Sequence, residues 1–181
     1  MRLLNVGTKS VLFGVHAFWL HPFYVYWGWK LIHKRRPNAA ELCAIITHDL
    51  GYWGCPDMDG DIGETHPERV AKLWRKYFPG KFGKQVSTLI LGHSSYYTAR
   101  HNLIRGDLYS PDKLATGLYP TWLYMLLGTL SGELDEYINC CRFGKYMREG
   151  ASPSITNRTQ WVMIIQANCT LKAFKEWGTF K

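Results

Sequence analysis

The stretch AAELCAIITHDLGYWG, residues 39–54, decides the predicted fold of this chain. Asn38 stands directly before it and Glu41 follows three positions later, which is the spacing of a capping box at the start of an α-helix. Apolar residues then recur at helical spacing until the chain reaches His48 and Asp49. The pattern predicts an amphipathic helix that presents an adjacent histidine and aspartate at its carboxyl end.

Helical patterns dominate the rest of the chain, and strand signals are weak because few segments alternate in period two. Further helices are predicted over residues 21–32, 67–77, 84–92 or beyond, 133–148 and 157–177, with Ser110 capping another that starts at Pro111. A helix interrupted by Gly and Pro is predicted over residues 116–130. The predicted loops are the Gly/Asp-rich residues 54–64, the polar residues 100–109, and residues 149–154. We therefore expect one all-α domain over residues 1–181, with about six to eight helices.

The amino-acid composition is typical of a globular protein, and the net charge favours an anionic partner. Of its 181 residues, 46% are hydrophobic and 20% are charged, which excludes a disordered chain. The formal net charge of +8 favours a nucleotide, a nucleic acid or a membrane surface. The basic residues are scattered, so nucleic acid is not the favoured partner. Aromatic residues make up 15% of the chain, which predicts an aromatic core or a homo-oligomer.

The amino-terminal region and the cysteines bear on cellular location. Residues 11–29 are largely apolar, but His16, His21 and Pro22 interrupt them, and a membrane span needs roughly 20 unbroken apolar residues. A secretory signal with a basic segment and a cleavage site is not apparent. The five cysteines are odd in number and form no CxxC pair, which favours reduced thiols. We expect a cytoplasmic protein that does not contact a membrane.

Several histidines and aspartates carry the ligand atoms that divalent metal ions prefer. They are His21, His48, Asp49, His66, His93 and Asp112. A catalytic metal site needs such side chains to converge while one coordination position stays open for water. An isolated His-Asp pair is more often an ordinary helix end with an exposed acid, so His48 and Asp49 alone indicate little.

The combined pattern resembles the HD-domain metal-dependent phosphohydrolase superfamily. HPFYVYWGWKLI resembles the first element of that superfamily, a histidine that opens a helix. AAELCAIITHDLGYWG resembles the second element, and SPDKLATGL resembles the third, an aspartate near the start of a later helix. The resemblance covers residues 12–138 and implies an HD-domain helical bundle. It also implies a metal ion held by His21, His48, Asp49 and Asp112.

A narrower likeness is to a group of mostly uncharacterised bacterial and phage HD-domain proteins. It depends on the segments GYWGCPDMDGDIGETHPE, LGHSSYYTARHN and PDKLATGLYPTWLY. The group implies no particular substrate. Residues 149–181 carry no such resemblance and are expected to be a helical carboxyl-terminal extension.

Three further histidines have roles that the sequence leaves open. His16 competes with His21 for the first metal position, and it is otherwise a candidate to support the ligands or to contact phosphate. Some members of the superfamily hold two metal ions with extra histidines that follow the HD pair. By that resemblance, His66 and His93 are candidates for a second metal. The alternative is that His66 caps a helix and His93 donates a hydrogen bond to phosphate.

The loop after the HD pair contains Asp57, Asp59, Asp61 and Glu64. Its DxDGD run superficially resembles a calcium-binding loop, but it lacks the spaced terminal glutamate of an EF-hand, so a Gly/Asp turn is favoured. Because this loop follows the pair directly, we expect it to border the pocket. Asp61 and Glu64 are therefore candidates, beside Asp49, for acid–base catalysis.

Candidate substrate contacts are basic, hydroxyl-bearing or aromatic, although most such residues in any protein are simply surface or core. Lys113 and Arg100 are candidates for phosphate, since Arg binds it bidentately and Lys binds it as a point charge. The other candidates are Ser94, Tyr96 and Tyr97 for direct contacts, and Tyr52, Trp53 or Trp19 for stacking on a nucleobase.

The resemblance, the charge and the aromatic content together predict a metal-dependent phosphohydrolase acting on a phosphate ester or anhydride of a nucleotide. A (deoxy)nucleoside mono- or triphosphate is the favoured substrate, and Mn, Co, Ni, Zn, Fe or Mg is the expected ion. One alternative is a cyclic-nucleotide or cyclic-dinucleotide phosphodiesterase with a two-metal site. The other is a non-catalytic module that binds nucleotides or nucleic acid.

Overall fold

The computed structural model describes residues 4–142 and 157–179, and every regular element within these ranges is helical. The all-α prediction is therefore confirmed. Ten α-helices are present in the described ranges, which corrects the expected six to eight. They are α1 Val6–Phe13, α2 His21–His33, α3 Ala39–Thr47, α4 His66–Tyr77, α5 Lys81–His93, α6 Ser95–Arg100, α7 Tyr109–Leu118, α8 Thr121–Ser131, α9 Glu133–Arg142 and α10 Arg158–Thr179. Short 3₁₀ helices span His48–Tyr52 and Gly63–Thr65.

The extra helices have identifiable local causes. The helix predicted over residues 116–130 is two helices, because Pro120 holds Tyr119 in an extended conformation and ends α7 there. Helix α6 stands just before the predicted polar loop and enters its first residue, and Ser94 starts it by accepting a hydrogen bond from the Tyr97 N–H. Helix α1 was not predicted at all.

Two predicted helix starts have different outcomes. At α3 the capping box is present: the Asn38 side chain accepts from the Glu41 N–H at 3.0 Å, and the Glu41 carboxylate accepts from the Asn38 N–H at 2.7 Å. At α7 the cap expected from Ser110 is wrong, because the helix begins at Tyr109, two residues before the expected start at Pro111.

Two buried apolar clusters hold the helices together. The first contains Tyr124, Leu134 and Trp161 and joins α8, α9 and α10. The second contains Trp29 and Ile90 and joins α2 to α3, α4, α5 and α7. Full burial of an aliphatic or aromatic side chain contributes roughly 1.5–3 kcal/mol. Helix α7 packs against both α2 and α10, so it connects the two halves of the bundle.

The structure bears on three of the remaining expectations. Across residues 4–142 and 157–179, we find no helix with the length and apolar character needed to cross a membrane. Cys43, Cys55, Cys140 and Cys169 are free thiols. The end of the helix predicted over 133–148 and the loop predicted over 149–154 lie outside the described residues.

Candidate metal centre

Four side chains from three separate segments converge at the centre of the bundle. His21 is the first residue of α2, His48 and Asp49 begin the 3₁₀ turn after α3, and Asp112 lies in the first turn of α7. His21 Nε2 lies 3.1 Å from Asp112 Oδ1 and 3.3 Å from Asp49 Oδ2. His48 Nε2 lies 3.1 Å from Asp49 Oδ2 and 3.4 Å from Asp112 Oδ1. We call these four residues the first cluster.

Close packing of α2 against α7 brings His21 and Asp112 together across the sequence. Gly28 of α2 faces the backbone of Pro111, and a Cβ at this glycine would meet the Pro111 carbonyl oxygen at 2.5 Å. Any larger residue at this position would therefore push α2 away from α7. The glycine allows the approach that places the two ligands within hydrogen-bond distance.

Two further histidines lie beside the first cluster. His66 begins α4 and His93 ends α5, and their Nε2 atoms are 3.1 Å apart. Asp49 Oδ1 lies 3.7 Å from His66 Nε2 and 3.6 Å from His93 Nε2. Gly51 makes room for α4, since a Cβ there would meet the His66 carbonyl oxygen at 2.0 Å. We call Asp49, His66 and His93 the second cluster.

Asp49 belongs to both clusters, and its two carboxylate oxygens face different ones. Oδ2 faces His21 and His48, whereas Oδ1 faces His66 and His93. The ligand atoms within each cluster all lie within 4.8 Å of one another. A carboxylate in this position is suited to bridge two neighbouring cations.

Backbone carbonyls orient three of the four imidazoles. The Nδ1 atoms of His48 and His66 lie 3.0 Å from the Ile45 oxygen and 2.9 Å from the Gly63 oxygen. His93 Nδ1 makes the same contact, three residues back along its helix. In each contact Nδ1–H is the donor, so Nε2 is the ring nitrogen that faces the cluster. Histidines that bind metal ions in proteins are commonly held this way.

The donor set and its spacing fit divalent cations. Ligand atoms about 2.1 Å from a common ion lie roughly 3.0 to 3.4 Å apart in octahedral or tetrahedral geometry. The four ion-pair distances in the first cluster, 3.1 to 3.4 Å, match that range. The contacts of Asp49 with His66 and His93 are slightly wider. His48 Nε2 and Asp49 Oδ2 are also buried without a hydrogen-bond partner in the described part of the chain, a costly state that a bound cation would relieve.

The pKa values of the ligands depend on the balance between burial and neighbouring charge. Burial alone would lower the pKa of His48, but the carboxylates of Asp49 and Asp112 outweigh it and raise this pKa to about 10. Burial would likewise raise the pKa of both aspartates, yet the nearby histidines hold it well below its usual value. In the second cluster, burial and the neighbouring His93 hold the pKa of His66 well below its usual value.

His16 lies next to the first cluster without joining it. Its ring centroid is 5.3 Å from that of His21, and the His16 Nδ1 atom faces away, 3.1 Å from Ser10 Oγ and 3.4 Å from Glu133 Oε2. Glu133 is fully buried and also accepts the Val15 N–H. Burial alone would lower the pKa of His16, but Asp49 and Glu133 raise it to about 9. Sequence reasoning did not identify Glu133, because nothing in the local pattern marks an acid at a helix start as a histidine partner.

A cavity of about 520 Å³ opens beside both clusters. Of the residues predicted to serve the site, those that line it besides the ligands are His16, Tyr52, Glu64, Ser94, Tyr96 and Lys113. Lys113 Nζ lies 3.7 Å from Asp112 Oδ2, so a cation stands beside the first cluster. The ring of Tyr52 is stacked on His66 at 3.8 Å and is therefore already engaged.

Other predicted contacts lie away from this cavity. Asp61 is exposed, and Arg100 is exposed with its guanidinium donating to the Tyr96 hydroxyl at 3.3 Å. Tyr97 packs its ring on His101. Trp53 lines a separate apolar groove, and the Trp19 indole donates to the Leu12 carbonyl at the surface. The structure gives these five residues no contact with the clusters.

The cavity also has lining residues that sequence reasoning did not identify. They are Ser95, Ala99, Arg105, Thr116, Tyr124, Tyr137, Trp161, Ile165, Cys169 and Lys172. Asp59, from the loop expected to border the pocket, also lines the cavity. Four of the lining residues come from α10, which the sequence suggested only as an extension. Their spacing along α10 was a visible signal of a helix face, but the sequence does not show what that face covers.

Comparison with known proteins does not add to this geometry. No family model matches the chain. No curated protein and no solved structure matches it either. The assignment of function therefore depends on the arrangement of the residues themselves.

Proposed function

We propose that the protein is a metal-dependent phosphohydrolase of the HD type that uses two adjacent divalent ions. The observation that carries the proposal is the position of Asp49, with one carboxylate oxygen toward each of two buried ligand clusters. The four residues expected from the HD-type pattern make up the first cluster. The ligand set is a mixture of imidazole and carboxylate, which suits Mn, Co, Ni, Zn or Fe as well as Mg.

The first ion would be held by His21, His48, Asp49 and Asp112, and the second by Asp49, His66 and His93. Bound there, the ions would supply Lewis acidity that offsets phosphoryl charge and lowers the pKa of water toward neutrality. Phosphate binding and proton transfer would be carried out by side chains that line the cavity.

Three side chains of the cavity have separate tasks in this mechanism. Lys113 places a positive point charge beside Asp112, where it attracts and orients a phosphate oxygen. Glu64 lines the same cavity and exchanges a proton with the attacking water or with solvent. His16 is turned by Glu133 so that its Nδ1 atom faces the protein interior and its other nitrogen is left for the cavity. That nitrogen contacts the phosphoryl group or the leaving oxygen.

The substrate we favour is a (deoxy)nucleoside mono- or triphosphate. The net charge of +8 and the aromatic cavity lining support a nucleotide. A second candidate is a cyclic-nucleotide or cyclic-dinucleotide phosphodiesterase, and the second cluster specifically favours it. Two ions can stabilise both the attacking and the leaving oxygen of a phosphodiester.

A nucleotide panel tests the proposal. The protein is stripped with a chelator and reloaded separately with Mn, Co, Ni, Zn, Fe or Mg, and its metal content is measured. Nucleoside mono- and triphosphates, cyclic mononucleotides and cyclic dinucleotides are then assayed side by side, with products separated by chromatography. We expect hydrolysis with at least one ion and its loss in Asp49→Ala.

The products separate the candidates. Release of orthophosphate, pyrophosphate or triphosphate from linear nucleotides identifies the favoured activity, and ring opening of cyclic nucleotides identifies the second candidate. Nucleotide binding without hydrolysis under every metal condition would overturn the proposal in favour of a non-catalytic binding module.

A further inference from the structure

The lining of the 520 Å³ cavity is divided between two kinds of wall. The polar wall contains the ligands Asp49, His66, His93 and Asp112, together with Lys113 from α7. The second wall is mainly aromatic and comes from helices α8, α9 and α10. It consists of Tyr124 of α8, Tyr137 of α9, and Trp161 and Ile165 of α10. A ligand that fills the cavity must therefore carry a charged part and a flat or apolar part.

Helix α10 supplies one continuous face of this cavity. Trp161, Ile165, Cys169 and Lys172 are spaced four, four and three residues apart, which places them on one side of a helix. The face extends roughly 16 Å along the helix axis. Trp161 is buried to 2% exposure, whereas Lys172 is partly exposed. The face therefore leads from a cationic end near solvent to an aromatic end in the interior.

The position of α10 is held by contacts outside the cavity face. Arg105, in the loop before α7, forms an ion pair with Glu176 near the end of α10. The Gln166 amide donates to the carbonyls of Thr116 and Tyr119, at 3.1 and 2.8 Å, and accepts from the Thr121 hydroxyl. These bonds tie α10 to the α7–α8 corner, so its cavity face is a built wall of the site.

We propose that α10 is the substrate-selecting wall of the phosphohydrolase site, and that the substrate is a single nucleotide whose base lies against Trp161 and Ile165. This inference rests on the proposed function, since the metal clusters define where the phosphate reacts. With the phosphate beside Lys113, the remaining cavity is bounded by the aromatic wall. The Trp161 ring is itself stacked on Tyr137, with ring centroids 5.8 Å apart, so the base meets the edges of this aromatic pair.

The size of the cavity distinguishes between substrates that share the same reacting group. A volume of about 520 Å³ lies in the lower part of the usual range for small-ligand sites, roughly 300–1,000 Å³. It suits one nucleotide, whereas a cyclic dinucleotide, which carries two bases and two sugars, would fill the cavity and extend beyond it. Within the proposed function, the cavity therefore favours mononucleotide substrates over cyclic dinucleotides.

The first experiment compares substrates on the unaltered, metal-loaded protein. Nucleoside 5′-monophosphates, ribose 5-phosphate and cyclic di-AMP are assayed at equal metal content. Ribose 5-phosphate has the same phosphate ester as the nucleotides and lacks only the base. We expect its kcat/KM to be at least about 5-fold lower, the low end of what one base–aromatic contact contributes. We expect cyclic di-AMP to be the poorest substrate.

The second experiment substitutes Trp161 in the α10 wall of the cavity. Trp161→Phe should raise KM for the nucleotide by about 5-fold and leave ribose 5-phosphate unaffected. Trp122→Phe is the matched control, since Trp122 is 67% exposed on α8 and is not part of the cavity lining.

A binding measurement, which does not depend on turnover, accompanies both experiments. Binding of adenosine, guanosine, cytidine and thymidine to the chelator-treated protein is measured by calorimetry, with circular dichroism to verify that each variant is folded. At least one nucleoside should bind, and Trp161→Phe should weaken its binding. If Trp161→Phe is unfolded, the comparison of nucleotide with ribose 5-phosphate and the nucleoside binding still decide the outcome.

The outcomes distinguish this inference from the proposed function. If no phosphate ester is hydrolysed with any ion, the proposed function fails. If ribose 5-phosphate and cyclic di-AMP are hydrolysed as well as nucleotides, and no nucleoside binds, the catalytic proposal stands and the substrate-selecting role of α10 is overturned.

Discussion

The two ligand clusters share Asp49 but differ in charge. The first contributes two carboxylates, from Asp49 and Asp112, whereas the second adds only the imidazoles of His66 and His93 to its share of Asp49. The pKa shifts follow this difference: that of His48 is raised to about 10, and that of His66 is lowered well below its usual value. The first cluster is therefore the more negative, and we expect it to bind a dication more tightly.

The largest loss of metal binding and activity is expected for Asp49, which belongs to both clusters. Asp49→Ala removes one ligand from each, and it leaves neighbouring buried histidines without their carboxylate partner. We expect both metal ions to be lost, with hydrolysis falling by more than the roughly 10- to 100-fold that losing an outer partner of a metal ligand costs. Metal analysis by mass spectrometry and turnover assays measure this. Retention of either ion at full occupancy would contradict the shared role of Asp49.

A pair of single substitutions should separate the clusters. Asp112→Ala removes a carboxylate from the first cluster only, and His66→Ala removes an imidazole from the second only. We expect each variant to bind about one ion per chain where the unaltered protein binds about two, with the greater loss of affinity in Asp112→Ala because a charge is removed. Calorimetric titration with Mn or Zn provides the measurement. Equal losses of both ions in either variant would show that the sites are not separable.

The pH dependence of metal binding should also differ between the clusters. In the metal-free protein the raised pKa of His48 keeps this ligand protonated at pH 7, so a metal ion must displace its proton. Affinity at the first cluster should therefore rise about tenfold per pH unit below the pKa of about 10. His66, with its lowered pKa, is already neutral, so affinity at the second cluster should change less.

Calorimetry at pH 7 in two buffers of different ionisation enthalpy measures the protons released. His66→Ala isolates the first cluster, and Asp112→Ala isolates the second. The same proton release from both variants would contradict the assigned difference.

The smallest loss of activity is expected for Glu133, which contacts His16 and is not part of either ligand cluster. Glu133→Gln keeps an acceptor for the Val15 N–H but removes the charge that faces His16. We expect metal content to be unchanged and kcat to fall roughly 10-fold, with little change in KM, since acid–base groups contribute about 10²–10⁴-fold and only their positioning is disturbed. Glu68→Gln, at a partly exposed acid paired with Lys72 on α4, is the control and should leave kcat unchanged. Loss of metal together with kcat would assign Glu133 to the support of the ligands instead.

Sequence patterns predicted those features that depend on neighbouring residues. The capping box of Asn38 and Glu41 is a local arrangement of side chain and backbone, and it is present. An interruption by Gly and Pro was also expected within residues 116–130, and the chain breaks there because Pro120 restricts Tyr119. The cap expected from Ser110 was wrong, since the Asp112 N–H donates to the Leu108 carbonyl and Ser110 therefore lies inside the first turn of the helix.

Features that depend on distant parts of the chain were not predictable in the same way. Glu133 meets His16 across more than a hundred residues, and only the folded chain shows that it is buried there. The face of α10 that lines the cavity has ordinary helical spacing, so its sequence alone suggests a core helix. Its cavity position follows from packing against α7.

By itself, the sequence determined the all-α class, the helix that leads to His48 and Asp49, and a set of six candidate ligands, because helical periodicity, caps and ligand chemistry are local properties. The tertiary structure alone decided how those ligands divide. It showed that the two oxygens of Asp49 face different clusters, that His16 stands outside them, and that α10 closes the cavity. These are distances between segments far apart in the chain, and they are set by close helix packing at positions such as Gly28 and Gly51.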